Sequence, residues 1–139
     1  MAEGILKARW AALGRNDLSI SSMGVHGLDH QPATEPARRI CMQHGIDISS
    51  HVSRPLEFDE MNRCDLMLAM EMAQKDFILL LIPQLADRIF LLGSWPLKDS
   101  PKGNIRDPIG GGLKDYGNAY ETISRRIDHI LPYLQSLFA

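Results

Sequence analysis

The sequence predicts an α/β fold with a small, mainly parallel sheet. Helical periodicities alternate along the chain with short apolar runs bounded by breakers. The runs Asp65 to Met70 and Arg88 to Leu92 have the length of strands and are separated by a helical segment. Such continuous runs mark parallel strands buried on both faces, and parallel neighbours require a crossover between them. The 139 residues, 45% hydrophobic and 23% charged, suit a single domain over residues 1–139.

Ala2 to Leu13 reads as a helix, because Ala2, Leu6, Trp10 and Leu13 fall on one face, and Gly14 follows where helices commonly turn left-handed. Leu18 to Met23 begins with apolar–polar alternation and reads as a short strand. Gly24 to Thr34, holding Gly24, Gly27, Asp29 and Pro32, reads as a loop. Thr34 can cap a second helix, Glu35 to His44, with Pro36 tolerated in its first turn and Gly45 ending it. Pro55 to Cys64 suggests a brief acidic helix, and Glu71 to Leu81 a longer one interrupted by Pro83. Trp95 to Gly117 carries three prolines and the run Gly110-Gly111-Gly112, and is expected to be a long irregular loop. A last helix spans about Asn118 to Phe138, with an apolar stripe of Ala119, Ile123, Ile127, Ile130, Leu134 and Leu137; Pro132 predicts a kink or break near residue 131. Only three strands are clear, and the chain opens directly on a helix.

Composition excludes several classes. A net charge of −2 and pI of about 6.2 argue against a nucleic-acid partner. The longest apolar run, Phe77 to Pro83, falls far short of the roughly 20 residues that span a bilayer, so no membrane association is expected. Two cysteines make neither a disulfide framework nor a four-thiolate zinc site, and the absence of a secretory pattern at Met1 points to a reduced, cytoplasmic protein. The five histidines (His26, His30, His44, His51 and His129) show no ligand spacing, and no metal or cofactor is expected. Cys41, near the C-terminal end of its helix where the dipole disfavours a thiolate, reads as a small buried apolar residue, as does Cys64. The most suggestive stretch is Arg106-Asp107-Pro108-Ile109-Gly110-Gly111-Gly112. An aspartate before proline is biased to extended backbone and could give a proton to a leaving group from such a loop. An ordinary turn is the plainer reading of the same residues.

In order, the pieces resemble the low-molecular-weight protein tyrosine phosphatases. Met1-Ala2-Glu3-Gly4 is similar to the helix start after that family's phosphate loop. Ser21-Ser22-Met23-Gly24 is similar to its Asp-Ser-Ala-Gly strand motif. His44 to Asp47 with His51 and Ser53-Arg54, then Asp65 to Glu71, Leu91 to Ser94 and Asp107-Pro108, complete a resemblance over essentially the whole chain.

The resemblance implies a three-layer sandwich with a parallel sheet ordered 2-1-3-4, and attack of a cysteine thiolate on phosphorus. The substrate would be a phosphorylated protein or small aryl phosphate. It makes Asp107 the general acid and then base, Ser22 and His51 supports of the phosphate loop, and His26 and Ile109 substrate-facing positions. The family signature C-x5-R-S precedes the Met-Ala-Glu helix start. It does not occur here: six residues beyond Cys41 is Asp47, and six beyond Cys64 is Met70. The sheet's first strand is expected to be absent with it, so these residues alone are expected to be inactive, their parent carrying the missing piece. Self-association through the unfilled sheet position is a further expectation. Ile109 and glycines stand where aromatic residues usually follow Asp-Pro, as in a bacterial subgroup that includes protein arginine phosphatases. A non-catalytic binding module is the alternative from another class. An arsenate reductase is disfavoured because residues 71 to 100 hold no cysteine.

Overall fold

A computed structural model of the chain describes residues 1–26 and 29–139. They form two compact units, Met1–Leu56 with Pro108–Ala139, and Glu57–Asp107. The expected loop between Gly24 and Thr34 includes Gly27, which lies outside the described residues.

The first unit is helical. Helix α1 (Ala2–Ala12) and helix α2 (Glu35–Gln43) both pack on α5 (Leu113–Leu137). Helix α1 buries Trp10 of the predicted stripe together with Ile5, whereas Ala2 and Leu6 are half-buried and Leu13 is 43% exposed. The reason is close packing at Gly4, where a Cβ would lie 2.7 Å from Ile48 Cγ2 and 3.3 Å from Ile46 Cγ2, so the Gly4 and Ile5 side of the helix faces inward. Gly14 follows α1 at φ +71°, and Gly45 follows α2 at φ +73°, the left-handed turns expected. Thr34 holds the N-cap position of α2 without a side-chain cap bond, with Pro36 in the first turn.

Helix α5 starts earlier than the glycines suggest. Asp115 Oδ2 accepts the Gly112 N–H at 2.8 Å, which satisfies one of the donors that a helix start leaves open. Its stripe is buried at Ala119, Ile123, Ile127, Ile130 and Leu134, while Leu137 is exposed. Pro132 does not break the helix: it is exposed, and Ile130 and Leu134 anchor the final turns on the buried side. The C-terminus is tied back by Arg15, which donates to the Phe138 carbonyl at 2.6 Å and stacks 4.5 Å over Trp10.

Leu18 to Met23 is not a strand. Its alternation is real, with Leu18, Ile20 and Ser22 half-buried and Ser19 and Ser21 exposed. Alternation alone builds no ladder, and among the described residues the chain just beyond the segment makes an isolated parallel bridge, Gly24 with Pro55. A second bridge, Pro32 with Val52, is antiparallel.

The second unit holds the sheet. Strand β1 (Met67–Ala69) and strand β2 (Ile89–Leu91) pair in parallel, with Met67 opposite Ile89 and Ala69 opposite Leu91. Among the described residues this two-stranded sheet replaces the three strands expected. Helix α3 (Phe58–Arg63) precedes β1, and α4 (Met72–Leu81) packs on both strands. Glu71 and Gln74 form a capping box at the start of α4. Pro83–Leu85 forms a 3₁₀ turn, and Ile78, Ile82, Leu85, Ile89, Leu91 and Leu92 are among the unit's buried apolar groups.

Candidate active site

The first turn of α1 carries Glu3, and two distant segments converge on it. Ser22 Oγ donates to Glu3 Oε2 at 2.5 Å, and His51 Nδ1 lies 3.7 Å from the same oxygen. Lys7, one turn on, donates to Glu3 Oε1 at 2.5 Å. Burial works to raise the carboxyl's pKa, but the hydrogen bonds from Lys7 and Ser22 and the charges of Lys7 and His51 outweigh it, holding Glu3 below the usual carboxylate range. A carboxylate in a first turn is also favoured by the helix dipole.

Local structure delivers both partners. Arg54 Nε donates to the Ser22 carbonyl at 3.0 Å, and the Gly24 N–H donates to the Arg54 carbonyl at 3.0 Å, so residues 22–24 and 54 hold each other. Asp47 Oδ1 accepts the Ser49 N–H at 2.8 Å, and the His51 N–H donates to the Ile48 carbonyl at 3.1 Å, which makes the turn that presents His51. Ser22 and His51, singled out in the sequence, are thus brought together on Glu3. Glu3 and Arg54, which hold Ser22 in place, do not stand out in the sequence as site residues. Their signal was present in the motifs themselves, but Glu3 reads as an ordinary first-turn acid and Arg54 as a loop cation.

Asp107 is exposed and ends the second unit. The backbone before it is anchored: Ile105 is buried and its N–H donates to the Met70 carbonyl at 2.8 Å, just beyond β1. Pro108 to Gly111 forms a turn closed by a 2.9 Å bond from the Gly111 N–H to the Pro108 carbonyl. Gly110 sits at φ +81°, the conformation that the third position of a type II turn demands. Ile109 at the tip is 70% exposed. His26 is exposed too. Cys41 is fully buried in α2 and burial pushes its thiol pKa up, the reverse of an activated nucleophile. Among the described residues no three His, Cys, Asp or Glu side chains cluster as a metal would require, and no helix is long and apolar enough to cross a membrane.

Residues 1–137 match the sequence model of the low molecular weight phosphotyrosine protein phosphatases. The chain belongs to that family. A probable low molecular weight protein-tyrosine-phosphatase, EpsP of Ralstonia nicotianae, is 33% identical over 120 residues, covering 86% of this chain and 79% of that protein. The protein-arginine-phosphatase of Geobacillus stearothermophilus is 27% identical over 119 residues, covering 86% of this chain and 78% of its own length. Among solved structures, the low molecular weight protein tyrosine phosphatase of T. tengcongensis superposes with a TM-score of 0.85 at 33% identity, over 95% of this chain and 88% of that one. The helix-rich α/β architecture with a small parallel sheet is therefore the family's own.

Proposed function

We propose that these residues form the body of a phosphoprotein phosphatase that works through a cysteine nucleophile, with Asp107 as its general acid. The observation that carries the reading is the gathering of Ser22, His51 and Lys7 on Glu3, which fixes the first turn of α1 in a chain of this family. A rigid helix start aims unsatisfied backbone N–H groups at one point, the arrangement that binds phosphate. Ser22 and His51 support that start, and His26 and Ile109 face the substrate.

In the reaction so read, the thiolate of a C-x5-R-S loop attacks phosphorus and the P–O ester bond breaks. Asp107 gives its proton to the departing oxygen. Water, losing a proton to Asp107, then cleaves the phosphocysteine to inorganic phosphate and free thiol. That loop is not among the 139 residues, so the polypeptide by itself turns over no phosphate ester.

The test joins the first strand and C-x5-R-S loop of a family phosphatase ahead of Met1. Hydrolysis of aryl phosphate by the joined protein, lost on Asp107→Asn and absent from the 139-residue chain, is the expected result. A joined protein that folds and binds phosphate without hydrolysis rejects the reading in favour of a binding module.

A preference for phosphoarginine is the second reading. It rests on Ile109, an exposed aliphatic residue followed by three glycines, in a chain with protein-arginine-phosphatase relatives. Comparing phosphotyrosine and phosphoarginine peptides on the joined protein decides it. The two thiols, neither in a disulfide, fit the reducing cytoplasm in which we place the protein.

A further inference from the structure

The loop that carries Asp107 is fastened to the second unit by an arrangement that the phosphatase reading does not use. Asp99 Oδ1 accepts the Leu91 N–H at 2.9 Å at the end of β2, and Asp99 Oδ2 accepts from Lys75 Nζ at 2.5 Å. Both side chains are largely buried, at 8% and 16% exposed, and Lys75 also lies 5.7 Å over the Phe90 ring. Removing one half of such a pair leaves the other charged with little access to water, which disfavours parting the two.

Further along, Asn104 Oδ1 accepts the Met72 N–H at 2.9 Å in the first turn of α4. The next residue, Ile105, bonds to the Met70 carbonyl. Between these points Gly93 and Gly103 touch backbone to backbone, a Cβ on Gly93 coming 2.0 Å from the Gly103 carbonyl oxygen. The loop is therefore fixed to the C-terminal ends of both strands and to the start of α4, and Asp107 follows three residues after the last side-chain fastening.

We propose that the Lys75–Asp99 pair and Asn104 form a clamp that positions Asp107, so that Asp99 and Asn104 are positioning residues for its proton transfer. The clamp rests on the reading of Asp107 as general acid. A proton donor on an exposed loop is effective only if its carboxyl is held within hydrogen-bond reach of the departing oxygen. Because Lys75 and Asp99 are largely covered, solvent and salt loosen the pair less than they would a fully exposed contact.

Two measurements test this. In the 139-residue chain, the Asp107 amide and carboxyl resonances are followed by NMR in Asp99→Asn, Lys75→Met, Asn104→Ala and the conservative Lys75→Arg. The expected result is displacement or broadening at Asp107 in the first three, recovery in Lys75→Arg, and unmoved resonances for Ile123 and Ile127 in α5. Unchanged Asp107 resonances in both Asn104→Ala and Lys75→Met overturn the clamp, even where Asp99→Asn fails to fold.

In the joined protein, kcat/KM is measured for aryl phosphates of graded leaving-group basicity. A misplaced acid harms poor leaving groups most, so Asp99→Asn or Lys75→Met costs at least about tenfold more with phenyl than with nitrophenyl phosphate. An equal loss for every leaving group overturns the positioning role. Asp107→Asn is the separate control: if it leaves leaving-group dependence unchanged, the general-acid reading fails, while the NMR measurement still judges the clamp.

Discussion

The Gly93 α-carbon and the Gly103 carbonyl meet so closely that a Cβ on Gly93 would stand 2.0 Å from the oxygen. The obstacle is backbone, which cannot swing aside as a side chain can. Gly93→Ala is therefore expected to destabilise the protein by about 1–3 kcal/mol or more. Gly117→Ala supplies the contrast: it lies inside α5, and its Cβ would meet Ile40 Cδ1 at 3.8 Å, an ordinary contact. That change is expected to stabilise by about 0.5–1 kcal/mol. Urea unfolding of the two variants checks both signs.

Glu3 links stability to pH. Its folded pKa is depressed, so its contribution is complete above the ordinary carboxylate range and is lost as pH falls through the folded value. Glu3→Gln should flatten the acid side of the stability curve, and Ser22→Ala should cost about 1 kcal/mol near neutrality by removing a half-buried bond to a charge. Unfolding midpoints between about pH 3 and pH 7 read both effects.

Asp17 reports on the C-terminal tie. Its carboxyl is lowered to about 2, chiefly by its hydrogen bond from Arg15, against some desolvation and with help from Trp10. Arg15→Ala should return Asp17 towards the usual carboxylate range and release the Phe138 carbonyl. An NMR titration of the Asp17 carboxyl gives the first result, and faster exchange of amides in the last turn of α5 the second.

Pro132 interrupts the hydrogen bonding of α5 from an exposed position. Pro132→Ala restores a backbone donor without touching the buried stripe, and is expected to raise stability by about 1–3 kcal/mol, read as a higher Tm.

Much of this molecule was legible in its residues, for identifiable reasons. Gly14 and Gly45 end helices because left-handed backbone costs glycine little, and the α5 stripe follows from simple periodicity. Leu18 to Met23 has the pattern of a strand without being one, because strand character depends on a neighbour that local pattern does not contain. Helix α5 starts before its expected position because Asp115 closes a capping bond beside three glycines, a matter of geometry rather than composition. At the candidate site, Ser22 and His51 were visible through motif resemblance. Glu3, on which they meet, and the Lys75–Asp99 pair join residues far apart along the chain, and no spacing rule announces such pairs.

The complete burial of Cys41 has one more consequence. A thiol sealed inside α2 is invisible to alkylating reagents until the helix lifts from α5, whereas Cys64 is only partly covered. The molecule thus carries its own clock for spontaneous opening: the slower of its two labelling rates counts how often the interior is laid bare.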